Sequence, residues 1–287
     1  MAVTAAAVKE LREKTGLPMM DCKKALTECD GDQDAAVQWL RERGAQVFEK
    51  RSGRATAFGR FGLYIGLEKE AGAMVELKCE SAPVTTNEEF IQFADDLAAA
   101  LAANPETADA DALLALECPS QPGSTLNDIK SDLFNRIREV FNIGRMICID
   151  NSCGGYSHNA GTVSGVLLAA DGSDDEAARG ISQHIAAMRP AGLSPEDLPS
   201  DIVDNERNIL REAALAEGKP ENIVDKMVEG RMRNFFAERV LTSQEYVKAE
   251  NKETVGDYAA SVGLILKQFV HWELGDDADD SESAGEE

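Results

Sequence analysis

Cys148-x4-Cys153-x4-His158 sets two thiols and an imidazole within a short stretch of this sequence, and their types are those that bind zinc. A structural zinc site wants four ligands, with cysteines paired in a tight turn. No fourth ligand lies nearby and the spacing spans an expected strand and loop, so free thiols in a hairpin are the reading. The three histidines, His158, His184 and His271, stand in no context that marks a nucleophile and its base. Neither a Gly-x-Ser-x-Gly elbow nor a Gly-x-x-x-x-Gly-Lys-Ser/Thr phosphate loop occurs, so acyl transfer and nucleotide binding are not signalled. What stands out instead is Gly16 to Leu26, where two adjacent methionines precede a compact charged face. Met19 and Met20 lie about 100° apart around a helix, so both cannot enter one small core. At least one faces outward on a soft, adaptable surface suited to docking another molecule.

The elements that position these residues follow from periodicity. Thr4 to Lys14, a helix from about Leu17, and Asp32 to Arg43 form a three-helix module, with Pro18 in the first turn of the second helix and Asp21 complementing its positive end. After Gly44 a Gly- and Arg-rich stretch reads as an exposed connector, with a boundary near residue 54. Phe61 to Leu67 and Ala73 to Cys79 read as a hairpin, followed by helices over Asn87 to Ala103 and Leu126 to Phe141. Met146 to Ile149 and Gly161 to Ala169 read as strands of a second, related unit, with Ser173 to Met188 as its helix. Ser200 to Ala216 and Pro220 to Glu238 form an antiparallel helical hairpin, broken at Glu217-Gly218-Lys219-Pro220. A helix over Thr254 to Leu266 and a strand over Gln268 to Leu274 complete the core. The expected organisation is therefore α+β: residues 1–54 as module and linker, 55–140 and 141–274 as two sheet-and-helix subdomains, the second including the hairpin at 200–238. Residues 275–287 form an acidic tail without large apolar side chains, expected to be disordered.

Composition narrows the partners. The 287 residues carry a formal charge of −23, which opposes nucleic-acid binding because that relies on Lys and Arg displacing counterions. No secretory leader and no bilayer-length apolar stretch is present, so a cytoplasmic location is expected, with no membrane partner. The six cysteines lack a dense framework and read as reduced thiols, with Cys22 and Cys79 as packing residues.

Several motifs then carry a family resemblance. They are Lys9-Glu10-Leu11-Arg12, Thr15-Gly16, Met19-Met20-Asp21-Cys22-Lys23-Lys24-Ala25-Leu26, Gly31-Asp32, Cys79-Glu80, Asn87-Glu88-Glu89-Phe90, Phe93-Ala94-Asp95, His184-Ile185-Ala186-Ala187, Arg189-Pro190, Gly218-Lys219-Pro220 and Lys226 through Met232. In order and spacing they resemble bacterial elongation factor Ts. The resemblance implies a UBA-like N-terminal module and the role of a guanine nucleotide exchange factor for the GTPase elongation factor Tu, with no enzymatic reaction and no cofactor. It implies that the module grips the GTPase through Met19, Met20, Asp21 and Lys23, and that Ile137, His184 and Ile185 also meet the partner. It assigns residues 81–84 to the loop that dislodges magnesium. Here the chain departs: Ser81-Ala82-Pro83-Val84 stands where the family has Thr-Asp-Phe-Val, so the carboxylate and the aromatic ring are both missing. Arg138 also stands where a glycine commonly follows the isoleucine. Two readings stay open: exchange that relies on the module and the His184 region, or a non-exchanging partner that binds and stabilises the same GTPase.

Overall fold

The structure is a computed structural model that describes residues 3–51, 53–217 and 220–276. The acidic stretch from 277 onward and the Gly218-Lys219 break lie outside the described residues. Two compact units emerge, one built from residues up to Tyr64, Ala73–Cys148 and the segment from Leu274, the other from Ile65–Gly72 and Ile149–Glu273.

In the first unit, α1 (Ala5–Thr15), α2 (Met19–Glu28) and α3 (Gln33–Glu49) pack around Leu11, Cys22, Ala25, Leu26, Ala36 and Leu40. Local chemistry sets the ends. Thr4 Oγ1 accepts from the Ala7 N–H at 3.2 Å, Gly16 closes α1 with φ +68°, and Asp32 Oδ1 accepts from Asp34 and Ala35 N–H groups. Pro18 precedes α2 as its N-cap, with φ −56° and ψ 138°, so the helix begins at Met19 and not near Leu17, which is buried in the module core. Helix α3 continues through Gly44 to Glu49, into the stretch expected to be a connector. Gly44 is closely packed there: a Cβ on it would lie 1.9 Å from Asn135 Oδ1, so a larger residue would have to displace that side chain.

The same unit continues with β1 (Phe58–Tyr64) and β2 (Gly72–Cys79), an antiparallel pair in register from Phe58 opposite Cys79 to Tyr64 opposite Ala73. Helices α4 (Glu88–Ala103), α5 (Ala110–Leu114) and α6 (Leu126–Ile137) follow, and then β3 (Phe141–Ile149) adds to β2, giving the order β1-β2-β3. Asn87 caps α4, and Thr125 with Asp128 forms a capping box on α6. The α4 backbone lies against β1 at Gly62, where a Cβ would meet Ala94 O at 1.9 Å. Val75, Leu77, Phe90, Phe93, Leu97 and Phe141 fill the space between, with the Phe90 and Phe141 rings 5.3 Å apart. Two sequence expectations change here. Helix α6 stops at Ile137, short of Phe141, because Arg138 turns into the left-handed region at φ +68° and ψ 24°. The strand expected at 146–149 is the end of β3 and joins the first sheet, not the second.

The second unit holds β4 (Cys153–His158), β5 (Ser164–Asp171), α7 (Asp175–Met188), α8 (Ser200–Ala216), α9 (Glu221–Arg239), α10 (Val255–Ser261) and β6 (Ile265–Glu273). Its strands are antiparallel in the order β4-β5-β6, and α7 packs Ile181 and Ile185 onto Val166 and Leu168. A hairpin followed by a covering helix thus occurs in both units, making the fold α+β. Helix α10 is shorter than the periodicity implied: the chain turns at Gly263, φ +74°, and Ile265 already belongs to β6. Between α8 and α9, Ala214, Val224, Val228, Met232 and Phe235 form an apolar seam flanked by the ion pairs Arg207–Glu229, Arg211–Asp225 and Arg231–Glu217. Among the described residues no helix is long and apolar enough to cross a membrane.

Candidate functional site

Helix α2 divides its side chains sharply. Cys22, Ala25 and Leu26 are buried, whereas Met19 and Met20 are 49% and 73% exposed and Lys23 points to solvent. Without a side-chain cap from Pro18, the α2 N-terminus relies on Asp21 for favourable charge. Asp21 does not share the outward face of the methionines. Its carboxylate accepts from Arg138 Nη2 at 2.5 Å, across 117 residues of sequence.

Arg138 caps α6, and the residues beside it meet the 81–84 segment. The Ser81 N–H and hydroxyl both donate to the Glu139 carboxylate, at 3.0 and 2.5 Å. Ala82–Thr86 is a short 3-10 turn in which Ala82 and Pro83 are exposed and Val84 is buried. Burial raises the pKa of the Glu80 carboxyl, but the Val140 N–H and the Arg54 guanidinium outweigh it and hold the group below its ordinary value. Cys79, at the end of β2, is pushed up to about 12 by burial and by nearby Glu139, so it is a packing thiol and no nucleophile. Ile137 is half-buried against the core of the first unit. Within this unit the structure brings together Asp21, the 137–139 corner and the 81–84 turn. Asp21 and Arg138 share no local pattern in the sequence, where the one signal is an arginine in place of a glycine.

In the second unit His184 and Ile185 are fully buried on α7, so neither side chain presents surface to a partner. The Val247 N–H donates to His184 Nδ1 at 3.3 Å, which places the proton on Nε2, from which it is donated to Gln244 Oε1 at 2.9 Å. The ring also lies 5.9 Å from Tyr246, which stacks on Tyr258 at 4.4 Å. Desolvation lowers the His184 pKa, with Gln244 opposing the shift. The unfolded chain therefore takes up a proton as pH falls through about 6.5 while the folded chain resists it, and stability declines on the acid side. His184→Gln is expected to lower stability by about 1–3 kcal/mol at pH 7.5, through the lost hydrogen bonds, and to flatten the decline towards pH 5.5. Urea unfolding of both proteins at the two pH values measures it, and parallel slopes would refute the assignment.

Cys148 lies in β3, while Cys153 and His158 sit at opposite ends of β4. Cys153 Sγ donates to Asn151 O and His158 Nδ1 bonds Tyr156 OH, so they do not converge on a common centre. Among the described residues no group of three or more His, Cys, Asp or Glu is placed to hold a metal ion. The first unit thus exposes two thioethers on α2 and the Ala82-Pro83 turn.

Comparison with known proteins identifies the family. A family model described as Elongation factor TS matches residues 80–276. The chain is similar to an Elongation factor Ts of Methylococcus capsulatus, 39% identical over 287 residues covering 99% of this chain and 96% of the relative. It is 38% identical over 276 residues to one from Idiomarina loihiensis, covering 96% and 92%. It is 40% identical over 283 residues to one from Hyphomonas neptunium, with the same coverage.

Proposed function

The chain belongs to the elongation factor Ts family, and from that premise we propose that it is a guanine nucleotide exchange factor that binds elongation factor Tu in its GDP state and promotes GDP release during translation elongation. The observation that carries the reading is the exposed Met19–Met20 pair on α2, beside a module core complete without it. Met19, Met20 and Lys23 supply the grip. Ile137, His184 and Ile185 act from within, by shaping the surfaces around them. The charge of −23 fits a protein partner rather than nucleic acid or an anionic membrane.

Exchange of this kind is linkage: a factor that weakens nucleotide binding is itself weakened by nucleotide to the same degree. Each tenfold loss of GDP affinity needs about 1.4 kcal/mol of contact made only with the nucleotide-free form, within reach of a few buried side chains. The exposed Ala82-Pro83 turn has neither a carboxylate nor an aromatic ring to insert. In this chain the differential contact therefore comes from the docking module more than from the 81–84 turn. That same turn favours the second reading, a partner that binds the GTPase without exchange.

Release of labelled GDP from the cognate elongation factor Tu separates the two. Exchange predicts at least a tenfold faster release with substoichiometric protein; binding without acceleration assigns the stabilising role. Ala82→Asp with Pro83→Phe adds little or slows release if the partner surface has adapted to the turn.

A further inference from the structure

Arg138 is held from three sides. Its N–H donates to Phe134 O at 2.7 Å, its carbonyl accepts from Arg51 Nη1 at 2.9 Å, and its guanidinium reaches Asp21. It does this at φ +68°, a conformation that bulky side chains rarely adopt, so the surroundings over-determine its position. The Asp21 and Arg138 side chains are about one-third exposed, at 29% and 35%, which leaves the charge-assisted hydrogen bond partly shielded from solvent. Gly16 against Arg136 and Gly44 against Asn135 also bring the N-terminal module to α6. The Asp21–Arg138 pair attaches within two residues of the exposed methionines.

We propose that Arg138 is a positioning residue for partner docking: through Asp21 it fixes α2 so that Met19 and Met20 meet the GTPase in one orientation, and Asp21 serves that purpose instead of touching the partner. The proposal rests on the docking function above. A module this small is marginal alone, and fixing its orientation before contact removes part of the entropy lost on association. The neighbouring Glu139, bonded to Ser81, extends the same fixed corner to the 81–84 turn.

A double-mutant cycle in the full-length chain tests it, with affinity for nucleotide-free elongation factor Tu measured by titration. Asp21→Ala and Arg138→Ala are each expected to weaken binding about tenfold, and the double variant about tenfold as well, since both changes remove one interaction. Arg138→Lys, which keeps the charge, stays within about threefold of the parent. A hundredfold loss in the double variant gives Asp21 a partner contact of its own and overturns the proposal, as does unchanged affinity in either single variant. Amide hydrogen exchange in the free chain provides a readout without the GTPase: α2 exchanges faster in both single variants by the same factor if the pair anchors it. If the parent chain fails to bind elongation factor Tu, the docking function is lost. Unequal or unchanged exchange in α2 refutes the anchoring itself.

Discussion

Replacing Met19 and Met20 together by alanine is expected to weaken association with elongation factor Tu about a hundredfold while the free protein stays folded. The two parts have separate physical grounds. The side chains are about half and three-quarters exposed, and the module core of Leu11, Cys22, Ala25, Leu26, Ala36 and Leu40 does not include them. Alanine is also at least as good a helix former as methionine, so α2 loses nothing locally. On docking, burying one methionine yields roughly 1.5–3 kcal/mol, and two half-exposed or better amount to about 3 kcal/mol, equivalent to about two orders of magnitude in Kd. Titration alongside thermal unfolding checks both parts. An unchanged affinity removes the methionines from the interface, and a large loss of melting temperature shows that they support the module instead.

The second large effect concerns stability. Glu76 is fully buried in β2, yet its carboxylate accepts from the Arg145 backbone N–H and guanidinium at 3.2 Å and pairs with Lys78 at 3.4 Å. A buried carboxylate costs heavily to desolvate, and here that cost is offset only with both cations in place. Glu76→Ala takes away the buried carboxylate that Lys78 and Arg145, each about one-fifth exposed, share. The expected loss is about 3–5 kcal/mol, or a melting temperature lower by roughly 10 °C. Glu76→Gln, which retains shape and hydrogen-bonding capacity, is expected to lose less. A loss below about 1 kcal/mol would mean that the network contributes little net stability.

How much of this was open to reading in the chain varied with the range of the interaction. Helix α8 was expected over Ser200 to Ala216 and occupies those residues, because an amphipathic period and the preceding proline are local signals. The caps at Thr4, Asn87 and Thr125 are local as well. The overshoots at α6 and α10 have the opposite origin. Arg138 adopts a left-handed conformation where its sequence offers no glycine, and Ile265 leaves the helical pattern to pair with Asp171 of β5, nearly a hundred residues away. Gly44, which read as the start of a connector, is a helical residue pressed on Asn135.

The sequence by itself determined the α+β class, the family and that at least one of the two methionines faces outward, since residue periodicity, motif order and the small size of the module decide those. The tertiary structure alone decided that β3 joins the first sheet, that His184 is sealed against Gln244 and the Val247 N–H, and that Asp21 turns inward to Arg138. Each of these depends on partners dozens of residues apart in sequence. Hydrogen-bond geometry and burial select such partners only once the chain has folded, and no spacing along the chain encodes them.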